Sequence, residues 1–482
     1  MNWRFIAKTI GMLIFYLGLS MLFPLICGLF YKDNSLIPLS KSFGITVFAG
    51  SLLFLFFRKA RTESITHREG IAIVAIGWTA IGLFGALPFY LSCGFESWVD
   101  AFFESVSGFT TTGSSILTNI EGISKGLLFW RSFIQWLGGM GIIVLSIAIL
   151  PFIGVGGMQL YKAEVPSPVP DRLKPRIRDT AMELWKVYVL FSLAEILLLM
   201  LGKMDLYNAL CHTFTTMPTG GFSTKNLSIA HYNSIYFDTI ITIFMIFAGI
   251  NFSLHYQMIK GKPLAYWRDS ECRFFLGVVI LLIVIVSFNI YGTVYKQIGE
   301  AFRFGAFQVV SIVTTTGYAT ADYEKWPAMS QTIILLCMFL GASAGSTGGG
   351  IKCLRIMLCL KYCYKEIFSL IHPHAVTHIK IGGKPVPEDI IRSVLGFFVL
   401  YMGLFGLCSV LLAGMGVDLV TSFTAVASAI GNIGPGFGLV GPAENFAHIP
   451  SMGKWLLIWC MLLGRLEIFT VIILLVPEFW RK

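Results

Sequence analysis

The sequence predicts an all-α polytopic membrane protein of ten transmembrane helices, and three observations carry that reading. Of its 482 residues, 56% are hydrophobic and 13% are charged, against roughly 25% charged in an average soluble domain. Apolar runs of about 20 residues, long enough to cross a hydrocarbon core of about 30 Å, recur along the chain. Between some of them lie four short loops that share one pattern, most plainly Thr-Thr-Thr-Gly at both 110–113 and 314–317.

The spans fall at 3–30, 40–57, 70–92, 126–153, 181–202, 235–260, 272–294, 328–362, 388–413 and 453–476. Arg4 and Lys8 precede the first apolar run and no small-residue cleavage site follows it, so it reads as a retained helix. Basic residues gather in alternate loops. One group holds Arg58, Lys59, Arg61 and Arg68, and another Lys162, Arg172, Lys174, Arg176 and Arg178. A third holds Lys260, Lys262, Arg268 and Arg273, and the last runs from Lys352 to Arg392. Loops on the other side carry Glu96, Asp100, Glu121, Asp322, Glu324 and Glu444, although Lys32, Lys125, Lys203, Lys225 and Lys454 lie there too. The positive-inside rule then puts the basic loops and both termini in the cytoplasm. The net charge of +10 is spread over these loops, so the expected partner is the lipid bilayer and not nucleic acid. The ten cysteines lie mostly within apolar runs without a CxxC pair and read as small buried hydrophobes.

Four gaps between spans, 98–112, 205–220, 300–316 and 418–433, hold an extra apolar stretch of about a dozen residues. A helix that short is about 18 Å long and cannot cross, so it must enter and turn back where protein or water covers its backbone. With Gly113, Gly221, Gly317 and Gly434 at one position, WVDAFFESVSGFTTTG aligns without gaps over LYNALCHTFTTMPTGG, RFGAFQVVSIVTTTG and LVTSFTAVASAIGNIG. Asp100, Asn208 and Thr421 coincide as helix N-cap candidates, with Phe304 in the third copy. Ser107, Ser311 and Ser428 also coincide. Leu137-Gly138, Ala248-Gly249, Leu340-Gly341 and Leu463-Gly464 recur in the spans that follow. A unit repeated in one orientation generates a pseudo-fourfold axis.

This arrangement suits a cation filter. The C-terminal end of a helix carries about half a negative charge, and four such ends around one axis favour a cation. Loop carbonyls can then replace the water of the ion. Thr110 opens the first loop. The first-choice ligands are the backbone carbonyls of Thr111 and Thr112, Thr219 and Gly220, Thr315 and Thr316, and Asn432 and Ile433. The glycines Gly113, Gly221, Gly317 and Gly434 come next. The competing reading, tight connections between spans, does not require the loops to share a register.

The four loop glycines, the stretch GASAGSTGGGIK from Gly341 to Lys352, and GRLEIF from Gly464 to Phe469 resemble the TrkH branch of the Trk/Ktr/HKT superfamily of potassium transporters. The resemblance covers nearly the whole chain. It implies two extra N-terminal helices in 1–69, then four M1–P–M2 potassium-channel-like repeats at 70–160, 161–262, 263–384 and 385–482. It also implies potassium as the transported ion, held by filter carbonyls, with no organic cofactor. The remaining implications are uptake across the bacterial inner membrane, a homodimer, and a cytosolic TrkA-like nucleotide-binding ring as regulatory partner.

Two further features stand out. Gly341, Gly345, Gly348, Gly349 and Gly350 interrupt the span 328–362, at about 1 kcal/mol of helix stability each. A phosphate cradle would need a GKS/T ending, and close helix packing is the bland reading. In the family the segment 341–350 is an intramembrane loop, and it is expected to be a gate below the filter. Arg465 lies inside an apolar span, where a charge costs at least about 2.5 kcal/mol and marks function by default. It is expected to face the pore and limit passage by repulsion, the alternative being an ion pair with another helix. His372, His374 and His378 read as solvated residues of a cytoplasmic loop. Glu104, His212, Gln308 and Ala425 occupy one position in the four short helices, and their differing chemistry suggests packing. No nucleophile–base constellation appears, so no enzyme is expected. The rival functional reading is an ion-coupled secondary transporter, for which the break at 341–350 is the best support.

Overall fold

The computed structural model describes residues 1–60, 66–92, 94–148, 177–375 and 377–480. Arg61, Cys93, Lys162, Arg172, Lys174, Arg176, the end of the expected span 126–153 and the repeat boundary at 160/161 lie outside the described residues. Six helices among the described residues are long and apolar enough to cross a membrane, or eight if two bent pairs each count as one span.

The N-terminal spans Trp3–Tyr31 and Leu36–Phe56 pack backbone to backbone. Small residues permit this approach: a methyl group on Gly11 would lie 2.8 Å from the Phe54 nitrogen, and one on Gly18 2.6 Å from Val47 Cγ2. Close packing through small residues is the main source of helix association where lipid removes the hydrophobic driving force. Ile6, Ile10 and Ile14 then cover Ala72 and Ile73 of the helix His67–Gly85. That helix opens on a capping box, with the Thr66 side chain and Glu69 each bonding the other's backbone N–H.

The four expected re-entrant stretches are short helices: Trp98–Phe109, Leu206–Thr216, Ile298–Val313 and Leu419–Gly431. Each is followed by a loop and then by a second helix. Lys125–Ala148 packs on Leu206–Thr216, Ile235–Gly249 on Ile298–Val313, and Ser451–Arg465 on Trp98–Phe109. In the remaining junction a methyl group on Gly431 would lie 3.1 Å from the Met338 carbonyl oxygen. Each second helix thus leans on the short helix of the next unit, and the fourth closes on the first. Ion pairs fasten two of these junctions, Arg303 Nε to Asp238 Oδ2 at 2.7 Å and Lys454 Nζ to Asp100 Oδ1 at 2.6 Å.

Two expected spans are sharply bent and a third is interrupted by a non-helical stretch. Ile235–Gly249 and Phe252–Ile259 meet at 103°, and Ser451–Arg465 and Ile468–Leu475 at 118°. The span expected at 328–362 splits into Ala328–Cys337 and Cys353–Ile371, with 338–352 non-helical, a wider break than 341–350. The all-α expectation has one small exception. Lys380–Ile381 pairs antiparallel with Lys384–Pro385, turning on Gly382 and Gly383 with φ of 55° and 83°, the left-handed pair that a tight hairpin needs.

Candidate ion filter and gate

The four loops share one backbone. In each, the residue before the glycine donates its N–H back into the short helix: Thr112 to Ser107 O at 2.8 Å, Gly220 to Thr215 O at 2.8 Å, Thr316 to Ser311 O at 2.8 Å, and Ile433 to Ser428 O at 3.0 Å. Two residues before the glycine, the backbone is left-handed, with φ of 53° at Thr111, 58° at Thr219, 61° at Thr315 and 53° at Asn432. The glycines are left-handed as well, at 85°, 71°, 80° and 106° for Gly113, Gly221, Gly317 and Gly434. The residue between them does not have positive φ. A left-handed φ at alternate residues is a repeat that neither a helix nor a strand has.

The glycines also interlock. A methyl group on Gly113 would collide with the Gly220 carbonyl oxygen, one on Gly221 with that of Thr316, and one on Gly317 with that of Ile433. On Gly434 it would lie 2.9 Å from the Thr112 oxygen. The contacts run from loop 1 to 2, 2 to 3, 3 to 4 and back to 1. No other residue type offers both this φ and this clearance.

The two Thr-Thr-Thr-Gly copies are alike in detail. Thr110 Oγ1 donates to Val106 O at 2.7 Å and lies 2.7 Å from Thr112 Oγ1; Thr314 Oγ1 donates to Val310 O at 2.7 Å and lies 2.9 Å from Thr316 Oγ1. Thr111 Oγ1 and Asn432 Oδ1 are buried without a hydrogen-bond partner. The Asn432 side chain turns towards the helix Ser451–Arg465, its Nδ2 donating to Met461 O at 3.0 Å and its Oδ1 lying 2.7 Å from where a methyl group on Gly464 would sit. Among the described residues no group of three His, Cys, Asp or Glu is placed to hold a metal.

Ser107 and Ser311 donate to carbonyls one residue past the glycine, Ser114 O at 2.6 Å and Tyr318 O at 2.7 Å, and Ser428 to Gly434 O at 2.7 Å. The expected caps require correction. The caps are Ser97, Asp205 and Asp418, which accept the N–H of Asp100, Asn208 and Thr421 at 3.2, 3.1 and 3.0 Å. Both positions are polar in each copy, so composition alone did not separate them. The third helix has no side-chain cap. Hydrogen bonds from the Thr421 side chain and backbone hold the Asp418 carboxyl below its ordinary range.

The comparisons with known proteins agree with this architecture. A family profile described as "TrkH: Cation transport protein" matches residues 40–482, all four loops included. The chain belongs to the TrkH family. It is 42% identical to the Trk system potassium uptake protein TrkH of Escherichia coli K12, over 100% of both chains. It is 37% identical to TrkG of the same organism over 99% of both. The crystal structure of the potassium transporter TrkH from Vibrio parahaemolyticus superposes with a TM-score of 0.92 at 37% identity, covering 100% of both chains.

In this TrkH-family chain the glycine-rich stretch lies directly against the four loops. The Gly349 N–H donates to Thr315 Oγ1 at 2.7 Å, and Thr347 Oγ1 donates to Met217 O at 2.9 Å. A methyl group on Gly348 would lie 3.1 Å from the Thr314 oxygen, and one on Gly349 2.9 Å from Asn432 Cβ. Gly341 and Gly350 crowd each other where the stretch closes, and Gly345 lies against the Asn251 amide. The irregular backbone is satisfied internally, as it must be at membrane depth. Ser343 N–H donates to Gly249 O at 3.0 Å, and Gly345 O accepts from Phe252 N–H at 3.0 Å, so the broken end of one helix holds the stretch. Glu271 Oε1 accepts the N–H groups of Ala344 and Leu354, at 2.7 and 3.1 Å, and so joins both of its limbs.

Arg465 is only 4% exposed. It donates to Thr347 O at 2.7 Å and Gly138 O at 3.4 Å, and its Nε has no hydrogen-bond partner. It therefore bridges the glycine-rich stretch to the second helix of the first unit. Glu467 pairs elsewhere, with Arg355 at 2.6 Å. Sequence reading missed a group behind the filter. Arg131 pairs with Glu104 at 2.6 Å and donates to Ser223 O at 2.9 Å, while Gln135 reaches Gly220 and Phe222. Their four-residue spacing on one face of an apolar helix was the available signal. The position of Glu104, His212 and Gln308 ties each short helix to structure beyond its filter loop. Glu104 accepts the Ile116 N–H at 3.0 Å, His212 lies 3.1 Å from the Tyr232 hydroxyl, and Gln308 donates to Ala321 O at 3.1 Å. In the fourth unit Thr424 does this, one residue before Ala425, by accepting the Phe437 N–H at 3.0 Å. His372, His374 and His378 are exposed.

Proposed function

We propose that the chain mediates potassium uptake across the bacterial inner membrane through a channel-like pore lined by the four loops. The observation that carries this reading is the closed cycle of glycine-to-carbonyl contacts through Gly113, Gly221, Gly317 and Gly434. A ring of carbonyls fixed by its own neighbours can exchange for the hydration shell of a cation at little reorganisation cost. Potassium is the ion named for the relatives in Escherichia coli and Vibrio parahaemolyticus, and glycine at every filter position is the state the family resemblance associates with potassium. In this reading 338–352 is the gate, because it passes under Thr314, Thr315 and Asn432. Arg465 holds that gate through Thr347. The same resemblance supports a homodimer, a TrkA-like nucleotide-binding ring on the cytoplasmic side, and cytoplasmic termini.

The second reading is a sodium- or proton-coupled secondary transporter, favoured by the bends of 103° and 118° beneath the filter. Rubidium uptake into proteoliposomes, with potassium and sodium as competitors, tests the first reading. Potassium is expected to compete and sodium to compete poorly; failure of potassium to compete overturns it. Uptake that saturates and requires a second ion favours the coupled transporter.

A further inference from the structure

The second corner of the ring is built differently from the other three. At corners 1, 3 and 4 a serine hydroxyl of the short helix, Ser107, Ser311 or Ser428, reaches across to hold the limb leaving the filter. The matching residue at corner 2 is Thr215, and its hydroxyl is committed elsewhere. It donates to the carbonyls of Cys211 and His212 at 3.1 and 2.9 Å and meets the Tyr318 hydroxyl. Corner 2 therefore lacks the internal brace.

Gln135 takes its place from outside the unit. This residue sits on the helix Lys125–Ala148 of the first unit and is fully buried. Its Nε2 donates to the Gly220 carbonyl at 2.7 Å, and its Oε1 accepts the Phe222 N–H at 3.2 Å. One amide thus spans the filter glycine Gly221 on both sides. The oxygen it holds is the one against which Gly113 packs. The absence of a side chain at Gly220 follows from this contact. Thr112, Thr316 and Ile433 supply one at the other corners, but here it would occupy the space of the Gln135 amide: a methyl group on Gly220 would lie 2.7 Å from Nε2.

We propose that Gln135 is a selectivity-determining positioning residue, fixing the Gly220 carbonyl in the ring by hydrogen bonding. This rests on the filter reading above. The hydrogen bond also draws on one lone pair of that oxygen. An amide is suited to the task because it presents a donor and an acceptor side by side, matching the C=O and N–H that flank Gly221.

Two substitutions separate the donor from the bulk of the side chain. Gln135→Glu keeps shape and the acceptor for Phe222 but loses the donor to Gly220; Gln135→Leu keeps bulk and loses both. The readout is the ratio of potassium to sodium concentrations needed to halve rubidium uptake in proteoliposomes. Both variants are expected to lose discrimination by about fivefold or more, the scale of one buried hydrogen bond. An unchanged ratio in both, or a loss confined to Gln135→Leu, overturns the proposal. Gly221→Ser, measured in parallel, tests the filter itself. If it degrades discrimination while Gln135→Glu does not, the filter stands and the role of Gln135 falls. If Gly221→Ser leaves discrimination intact, the filter reading has failed.

Discussion

The hydroxyl of Thr315 accepts a hydrogen bond from the backbone N–H of Gly349 at 2.7 Å, so a side chain of the third loop holds the glycine-rich stretch. Thr315→Val keeps the shape and removes the acceptor. The buried N–H left behind costs about 1–3 kcal/mol, which biases the stretch away from its seat. Rubidium uptake in the absence of any cytosolic partner is expected to rise several-fold; unchanged uptake would show that this contact does not restrain the proposed gate.

Arg465 holds the same stretch at a second point, through Thr347 O. Arg465→Ala removes both the donor and the buried charge, and higher potassium flux is expected. Equal flux in an equally abundant variant rules out a restraining role. Arg465→Lys is expected to fall between the two, because a point ammonium cannot reach Thr347 O and Gly138 O in the geometry of a guanidinium.

The Glu104–Arg131 pair has both side chains buried, at 0% and 3% exposure. Removing one partner strands a charge and typically costs about 3–5 kcal/mol, whereas replacing both with apolar residues is far milder. Thermal unfolding in detergent should therefore rank Arg131→Leu and Glu104→Leu well below the double variant. A double variant no more stable than the singles would contradict a pairwise role.

Asp418 offers a pH test outside the spans. Its carboxyl titrates below the ordinary value, so the folded state gains stability where the group is ionised. That gain is complete above the unfolded value of about 3.9 and is lost as pH falls through the folded one. Asp418→Ala should cost about 1 kcal/mol near neutral pH. The difference between the two proteins should shrink below about pH 4. A difference that persists in acid points away from the carboxylate cap.

The shared register of the four loops was legible in the sequence because a gapless repeat constrains every corner at once. It selected Gly434 over Gly436, and Gly436 indeed packs against Thr424 instead of entering the ring. Helix starts were less legible: Ser97 and Asp100 both accept hydrogen bonds well, and only backbone geometry tells cap from first turn. The bend after Gly249 was hidden because a lone Asn251 interrupts an otherwise apolar run, and at the second bend Arg465 and Glu467 read as buried charges and gave no sign of a change in direction. Gln135 and Arg131 escaped notice because they lie on a spanning helix, away from the loops that define the repeat, and some of their partners belong to another unit.

The glycine contacts also say something about how such a ring can change. In a pore assembled from identical subunits, any substitution is made at every corner together. Here one chain encodes the four corners separately, and each glycine guards the carbonyl of its neighbour and not its own. A mutation at Gly317, for instance, would be felt first at Ile433. The ring in this architecture can therefore change a quarter at a time, with the damage of each step appearing one corner further round.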